Sequence, residues 1–318
     1  MARKFSFENA AFHFAKTDGD RGFLALYILT YIVLGVLLYV GMAFLMWPFL
    51  SDMAGIASVV GPNTSDAEIR RLFAQESGGL AARGILGGIG AFLLYVMFYV
   101  SMEAAILRRY IRDEGFSLRF GADEFRLVLV LLLFYLILLG VYFAAGLAIG
   151  LLSVLLMQIS EVFIYLSPLI LLIGVFSTLL YFSIKFAPAA ALTIRNREFS
   201  FFGAWNVTKG RWWAMFGSYI VLYLILTVSF FVVYLILVFG LVGVLAASGI
   251  GDLGAEPAPE EVLAVFFQPA TAIVGLLFAI FIASYGAFSQ YAWAGIAAIA
   301  AKDDPRQGGG PDAASAFD

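Results

Sequence analysis

The sequence lacks the residues on which most soluble catalytic and metal sites depend. It has no cysteine and one histidine, His13, among 318 residues, which excludes disulfides and thiolate chemistry. No ligand spacing typical of a metal site surrounds His13. The chain also has no phosphate-binding loop, dinucleotide fingerprint or metalloprotease helix motif. We therefore expect no catalytic residues, no metal site and no cofactor.

Charge is also scarce, and hydrophobic residues are abundant. Charged residues make up 13% of the chain and hydrophobic residues 63%, with a mean hydropathy of +0.96. A soluble domain carries about 25% charged residues. Six apolar runs are long enough to cross a bilayer, and they lack the alternation of outer-membrane strands. The runs span 22–50, 84–107, 127–157, 162–186, 212–247 and 269–301. The sequence predicts an all-α polytopic membrane protein.

The basic residues predict the orientation of these helices. With the six predicted spans, every Lys and Arg except Arg70, Arg71 and Arg83 lies on the side of the N-terminus. The positive-inside rule then places both termini in the cytoplasm. The first apolar run is longer than the apolar region of a signal peptide, so we interpret it as a retained helix.

Three related segments recur along the chain. Each opens with Phe-Ser at positions 5, 116 and 199, and each leads to a Tyr-aliphatic apolar run and a second apolar run. The pattern predicts three tandem helical hairpins around a pseudo-threefold axis, with short cytoplasmic interfacial helices. The repeat units are 5–107, 116–192 and 199–301, within one transmembrane domain of residues 1–301. Residues 302–318 are rich in Gly, Pro, Asp and Ala, which is typical of a disordered cytoplasmic tail.

Two loops carry helix signals on the opposite side. Ser65 and Glu68 fit a capping box, followed by Ile69, Leu72 and Phe73 at one-face spacing. We expect a short amphipathic helix there, lying on the membrane or capping the bundle. The segment 259–267 suggests a second such helix, with Pro at its first turn.

A few polar residues interrupt the apolar runs near their cytoplasmic ends. Matching Tyr-x-Ser-x motifs place Glu103 and Lys185 at equivalent positions, and Tyr291 follows Ser289 and Gln290 in the sixth run. Under threefold symmetry Glu103, Lys185 and Tyr291 would converge, and we hypothesise a Glu103–Lys185 ion pair. Snorkelling of both side chains to the interface is the alternative. Gln290 either bonds a neighbouring helix or lines a solute path.

Aromatic and basic residues cluster before the fifth run. The set suggests contact with lipid headgroups, although ordinary anchoring of a helix entry at the interface is the simpler explanation, because such aromatic and basic belts are general. Its members are Arg195, Arg197, Trp205, Lys209, Arg211 and Trp212.

The segment 188–212 resembles a known family pattern. A small-residue helix end, 188–192, leads to Ala204-Trp205-Asn206-Val207-Thr208-Lys209-Gly210-Arg211-Trp212. This resembles bacterial six-helix proteins grouped with the membrane domain of glycerophosphoryl diester phosphodiesterases. The resemblance implies a multi-pass inner-membrane protein. The catalytic barrel of those phosphodiesterases is absent from this sequence, so no catalytic residue is transferred.

Two functional hypotheses follow from these patterns. The first is a non-enzymatic membrane protein that organises lipids, anionic lipids among them, or an unidentified protein partner. The alternative is a transporter or channel for a small or lipidic molecule. A membrane-embedded enzyme would have to use Glu103 and Glu161, which the predicted topology places on opposite sides. Nothing in the sequence points to nucleic-acid binding.

Overall fold

The computed structural model describes residues 5–15, 22–60, 64–158, 162–247 and 268–303. Within these ranges the chain is helical and has no β-strand, and six helices are long and apolar enough to cross a membrane. The protein is therefore an all-α polytopic membrane protein. The long helices are α2 (Gly22–Val59), α3 (Asp66–Arg112), α4 (Ala122–Met157), α5 (Val162–Phe186), α8 (Trp212–Ala247) and α9 (Pro269–Lys302).

Short helices accompany the long ones. They are α1 (Phe7–Ala11), a 3₁₀ turn (His13–Ala15), α6 (Ala189–Asn196) and α7 (Gly203–Val207). All lie at the end of the bundle that carries both Phe5 and Asp303, where the Phe5 amide donates to Asp303 Oδ2 at 2.8 Å. We call this the basal end, and the opposite one the distal end.

The predicted amphipathic helix at 65–73 is not a separate element. Ser65 is the N-cap of α3, with its hydroxyl accepting from the Glu68 amide at 3.3 Å, and α3 then runs unbroken to Arg112. Extending a helix costs little free energy once its first turn has formed. No proline separates the capped turn from the apolar run, so the two form one helix. The second predicted amphipathic helix, 259–267, lies outside the described residues.

The first two residues of the predicted disordered tail, Lys302 and Asp303, are ordered at the basal end. Lys302 ends α9, and Asp303 accepts from Arg211 Nη2 at 3.2 Å, so both residues belong to the packed basal end. The rest of the predicted tail, 304–318, lies outside the described residues.

The long helices pack as three sequential hairpins: α2 with α3, α4 with α5, and α8 with α9. In the first hairpin α2 and α3 approach closely at Gly87, where a Cβ atom would lie 2.8 Å from the Leu45 carbonyl oxygen. Helix α9 also packs against α2, α3 and α6, whereas α5 and α8 touch only briefly. The second and third hairpins are therefore the least closely joined. The threefold repeat of the three hairpins remains a prediction.

The buried core lies at the basal end. It draws on the last turns of α3, on α6 and on the last turns of α9, with small residues such as Ala287, Ala298 and Ala301 at the helix contacts. In the distal halves of the helices, aliphatic side chains face outward. Small residues allow close backbone approach, which matters because lipid gives helices little hydrophobic reason to associate.

Arginine side chains connect the helices at this end. Arg108 of α3 pairs with Glu124 of α4, and each side chain is 1% exposed. Arg112 pairs with Asp123 at 2.8 Å and also donates to the Ile194 carbonyl of α6. Buried charges are tolerated only when paired and hydrogen-bonded. The pairs therefore fix how α3, α4 and α6 meet.

Candidate functional site

A lateral crevice separates the second hairpin from the third near the basal end. Its volume is about 930 Å³, and it is bounded by α3, α4, α5, α8 and α9. Phe176 and Tyr223, at its rim, are 64% and 56% exposed, so the crevice opens toward the surroundings of the bundle. The lining is mainly apolar: Tyr99, Glu103, Phe134, Phe176, Leu180, Ser183, Ile184, Ala187, Phe216, Tyr219, Ile220, Tyr223, Gln290, Trp293, Ala294 and Ala297.

A short hydrogen-bonded chain forms the polar wall of this crevice. The Tyr27 hydroxyl of α2 donates to Gln290 Oε1 at 3.0 Å, and Gln290 Nε2 of α9 donates to Glu103 Oε2 at 3.1 Å. The amide of Gln290 is thereby held between a donor and an acceptor, so its orientation is fixed. This chain joins three helices and presents a carboxylate to the cavity.

Glu103 is the one charged side chain in the crevice lining that the structure describes. Within the described part of the chain, Oε1 accepts no hydrogen bond and no Lys or Arg lies within ion-pair distance of Glu103. Glu103 also borders a smaller cavity of about 150 Å³ bounded by α3, α4, α5 and α6, whose other lining residues are uncharged. Its carboxylate therefore stands at the junction of two apolar spaces.

The predicted convergence of Glu103, Lys185 and Tyr291 does not occur. Lys185 Nζ lies 4.7 Å from the centre of the Trp205 ring, and Glu103 is bonded to Gln290 instead. Tyr291 stacks on Tyr110 with their ring centres 4.9 Å apart. The hypothesised ion pair is wrong, because each side chain has another partner: Gln290 of α9 bonds to Glu103, and Trp205 of α7 lies against Lys185.

Ser289 and Gln290 have different surroundings although they are adjacent. Gln290 lines the crevice, whereas the Ser289 hydroxyl is sealed from solvent and has no hydrogen-bond partner among the described residues. Successive residues of a helix point about 100° apart, so only one of the two faces the cavity. Of the two roles considered for Gln290, interhelical bonding is present, and the amide also lies at a cavity.

Sequence reasoning missed the aromatic pair that lines the same crevice as Glu103. Tyr219 of α8 stacks on Trp293 of α9, with ring centres 5.1 Å apart, and both line the crevice. A signal was present, because Gln290, Trp293, Ala294 and Ala297 fall at i, i+3, i+4 and i+7 and so share one helix face. The pattern alone does not distinguish a cavity wall from a packed interface.

The predicted headgroup contacts divide into two groups. Arg211 donates to the Asp303 carbonyl at 2.8 Å, Arg195 donates to the Ala301 carbonyl, and Trp212 donates to the Tyr181 carbonyl at 3.3 Å. These side chains are committed to internal contacts. The remaining three, Arg197, Trp205 and Lys209, are exposed at the basal end.

The single histidine secures the N-terminal segment to the bundle. His13 is 4% exposed, its Nδ1 lies 2.7 Å from the Ala10 carbonyl oxygen, and its Nε2 has no partner in the described residues. Its ring abuts Gly295 of α9, where a Cβ atom would overlap it, and lies against Tyr110. Burial lowers the pKa of His13 from 6.5 to about 4, so the ring is neutral at pH 7.

Within the described ranges, no group of three or more His, Asp or Glu residues could hold a metal ion. The crevice likewise pairs no second carboxylate with Glu103. Glu161, the other acid considered from the sequence, lies outside the described residues. The arrangement suits retention of an amphiphilic molecule, with apolar walls for a chain and one carboxylate for a polar head.

No family model, curated protein or solved structure matches this chain.

Proposed function

We propose that this protein is a non-enzymatic, lipid-binding protein of the bacterial inner membrane that holds one lipid in its lateral crevice. The observation that carries the proposal is the crevice itself, which is apolar and opens between the second and third hairpins at exposed residues of α5 and α8. In a membrane those exposed residues face acyl chains. A lipid then enters sideways without leaving the bilayer.

The size of the crevice agrees with such a ligand. Pockets for small molecules measure about 300–1,000 Å³ and are lined mostly by apolar and aromatic side chains. A cavity of about 930 Å³ holds much of one lipid, with part of the chains remaining in the bilayer. The polar wall at Glu103 and Gln290 provides the few oriented groups that such sites use for recognition.

The proposed orientation places the basal end in the cytoplasm. The basic residues before α2, between α3 and α4 and around α6 and α7 support it through the positive-inside rule. Exposed Arg197, Trp205 and Lys209 then lie at the level of the inner-leaflet headgroups. The resemblance of segment 188–212 to the phosphodiesterase membrane domains implies the same membrane, and it too remains a prediction.

Lipid transport is the second candidate function. It is favoured by the Tyr27–Gln290–Glu103 chain, which brings polar groups from α2, α9 and α3 to a membrane cavity. Against it stands the tight core at the basal end. A transporter should move a fluorescent lipid between the leaflets of reconstituted vesicles. A chemical quencher added outside destroys the fluorescence of lipid that has reached the outer leaflet, and so measures the rate. A binding protein should leave that rate at the level of empty vesicles.

Native mass spectrometry of the full chain from mild detergent tests the main proposal. We expect one lipid to remain bound at detergent concentrations that strip annular lipid. Ser183→Phe should remove it, because the ring fills the crevice at a half-buried lining position. The matched control Val36→Phe adds a comparable ring on the outward face of α2, away from the crevice, and should retain the lipid. Equal retention by both variants would refute the crevice as the site.

A further inference from the structure

The described crevice lining contains one carboxyl group and no basic side chain. Glu103 contributes the carboxyl group, and the described lining contains no Lys, Arg or His. The neighbouring base that the sequence suggested as its partner, Lys185, is directed at the Trp205 ring instead. A carboxylate in an apolar membrane cavity is costly unless a cation pairs with it, a hydrogen-bond donor reaches it or a proton neutralises it.

The hydrogen bonding of Glu103 leaves a place for an external donor. Oε2 accepts from Gln290, whereas Oε1 has no donor in the described part of the chain and is not sealed off from solvent. The Gln290 amide is in turn held by Tyr27. Helices α9 and α2 therefore fix the orientation of the Glu103 carboxylate and of its unbonded oxygen, Oε1. Preformed binding sites present their polar groups in this way.

The depth of Glu103 suits a lipid headgroup. Glu103 precedes Arg108 of the basal ion-pair network by five residues, which corresponds to about 7.5 Å of helix rise. A headgroup at the basal membrane surface reaches this depth while its chains extend along the crevice toward Phe176. The stacked rings of Tyr219 and Trp293 line the same space and favour a cation over an anion.

We infer that the crevice selects a membrane lipid whose headgroup carries a protonated amine with at least one N–H bond, and that Glu103 is the group that recognises it. The inference rests on the proposed lipid-binding function. The ammonium donates a hydrogen bond to Glu103 Oε1 and neutralises its charge. Choline headgroups carry the same positive charge and lack the N–H, and glycerol headgroups lack the cation altogether.

A lipid series with identical acyl chains tests this inference. The delipidated full chain is mixed with phosphatidylethanolamine, its N-methyl and N,N-dimethyl forms, phosphatidylcholine or phosphatidylglycerol, and bound lipid is counted by native mass spectrometry. We expect about tenfold stronger retention of phosphatidylethanolamine than of phosphatidylcholine, as befits one hydrogen bond to a charged group. The largest drop should come at the last methylation, which removes the final N–H.

Variants of Glu103 separate recognition from folding. Glu103→Gln keeps the size and loses the charge, and the ratio between amine and choline lipids should fall to within about twofold of unity. Glu198→Gln removes an exposed carboxylate at the basal end outside the crevice, so it should preserve the preference. Far-UV circular dichroism and gel filtration check that each variant is folded.

The outcomes distinguish a failure of lipid binding from a failure of headgroup recognition by Glu103. If the wild-type chain retains no lipid of any kind, the proposed function fails and the inference fails with it. Retention without headgroup preference, or an unchanged preference in Glu103→Gln, overturns the inference and leaves lipid binding standing. Preferential retention of phosphatidylglycerol would also overturn it, because an anionic headgroup would then be the one recognised.

Discussion

Acidification should release the N-terminal segment from the bundle, because His13 is buried in its neutral form. When residues 5–15 are docked, the His13 pKa is about 4, and when they are undocked it returns to the ordinary 6.5. The undocked state therefore binds more protons between these values. The docked state should lose stability as pH falls from about 6.5 to about 4 and lose no more from His13 below that.

The size of the effect follows from the two pKa values. Their difference corresponds to roughly 3 kcal/mol in full, and about 2 kcal/mol of it is already lost at pH 5. The charged groups of the ion-pair network are not part of this effect, since the rings of Phe14 and Tyr110 and the backbone of Gly295 surround His13. The loss should therefore be confined to docking of the N-terminal segment.

Hydrogen exchange measured by mass spectrometry reports this docking directly. The amides of Ala10 and Phe12 are bonded within α1, so the peptide covering 5–15 is protected while the segment is docked. Protection, corrected for the intrinsic pH dependence of exchange, should fall by about 20-fold between pH 7 and pH 5 in the wild type. His13→Asn keeps a donor for the Ala10 carbonyl and does not titrate, so its corrected protection should stay level. If corrected protection fell equally with pH in the wild type and in His13→Asn, the reasoning would be refuted.

Two further predictions concern packing and buried charge. Gly87→Ala should destabilise the first hairpin by about 1–3 kcal/mol, because the new methyl group meets the Leu45 carbonyl, whereas Gly88→Ala has open space and should be neutral in a thermal unfolding assay. Arg108→Met should cost about 3–5 kcal/mol by leaving Glu124 buried without its partner. The double variant with Glu124→Leu should recover most of that loss, and a loss equal to that of the single variant would show that the pair itself is stabilising.

Much of the fold is predictable because membrane helices are locally determined. Backbone polar groups in hydrocarbon must bond within their own segment, so a run such as 127–157 forms a helix whatever its neighbours are. The Ser65 cap was equally readable, since its bond to Glu68 spans three residues. The prediction of a separate short helix after Ser65 was wrong, because no local signal ends that helix before the apolar run begins.

The sequence alone determined the class of the protein, its six membrane helices and the presence of polar residues near their basal ends. Only the tertiary structure decided that Glu103 meets Gln290 and that Lys185 meets Trp205. Equivalent positions in two of the predicted repeats did not predict a contact, because a partner depends on how each helix is rotated about its axis. The crevice is likewise a gap between hairpins, set by packing among residues far apart in the chain, and no local pattern records it.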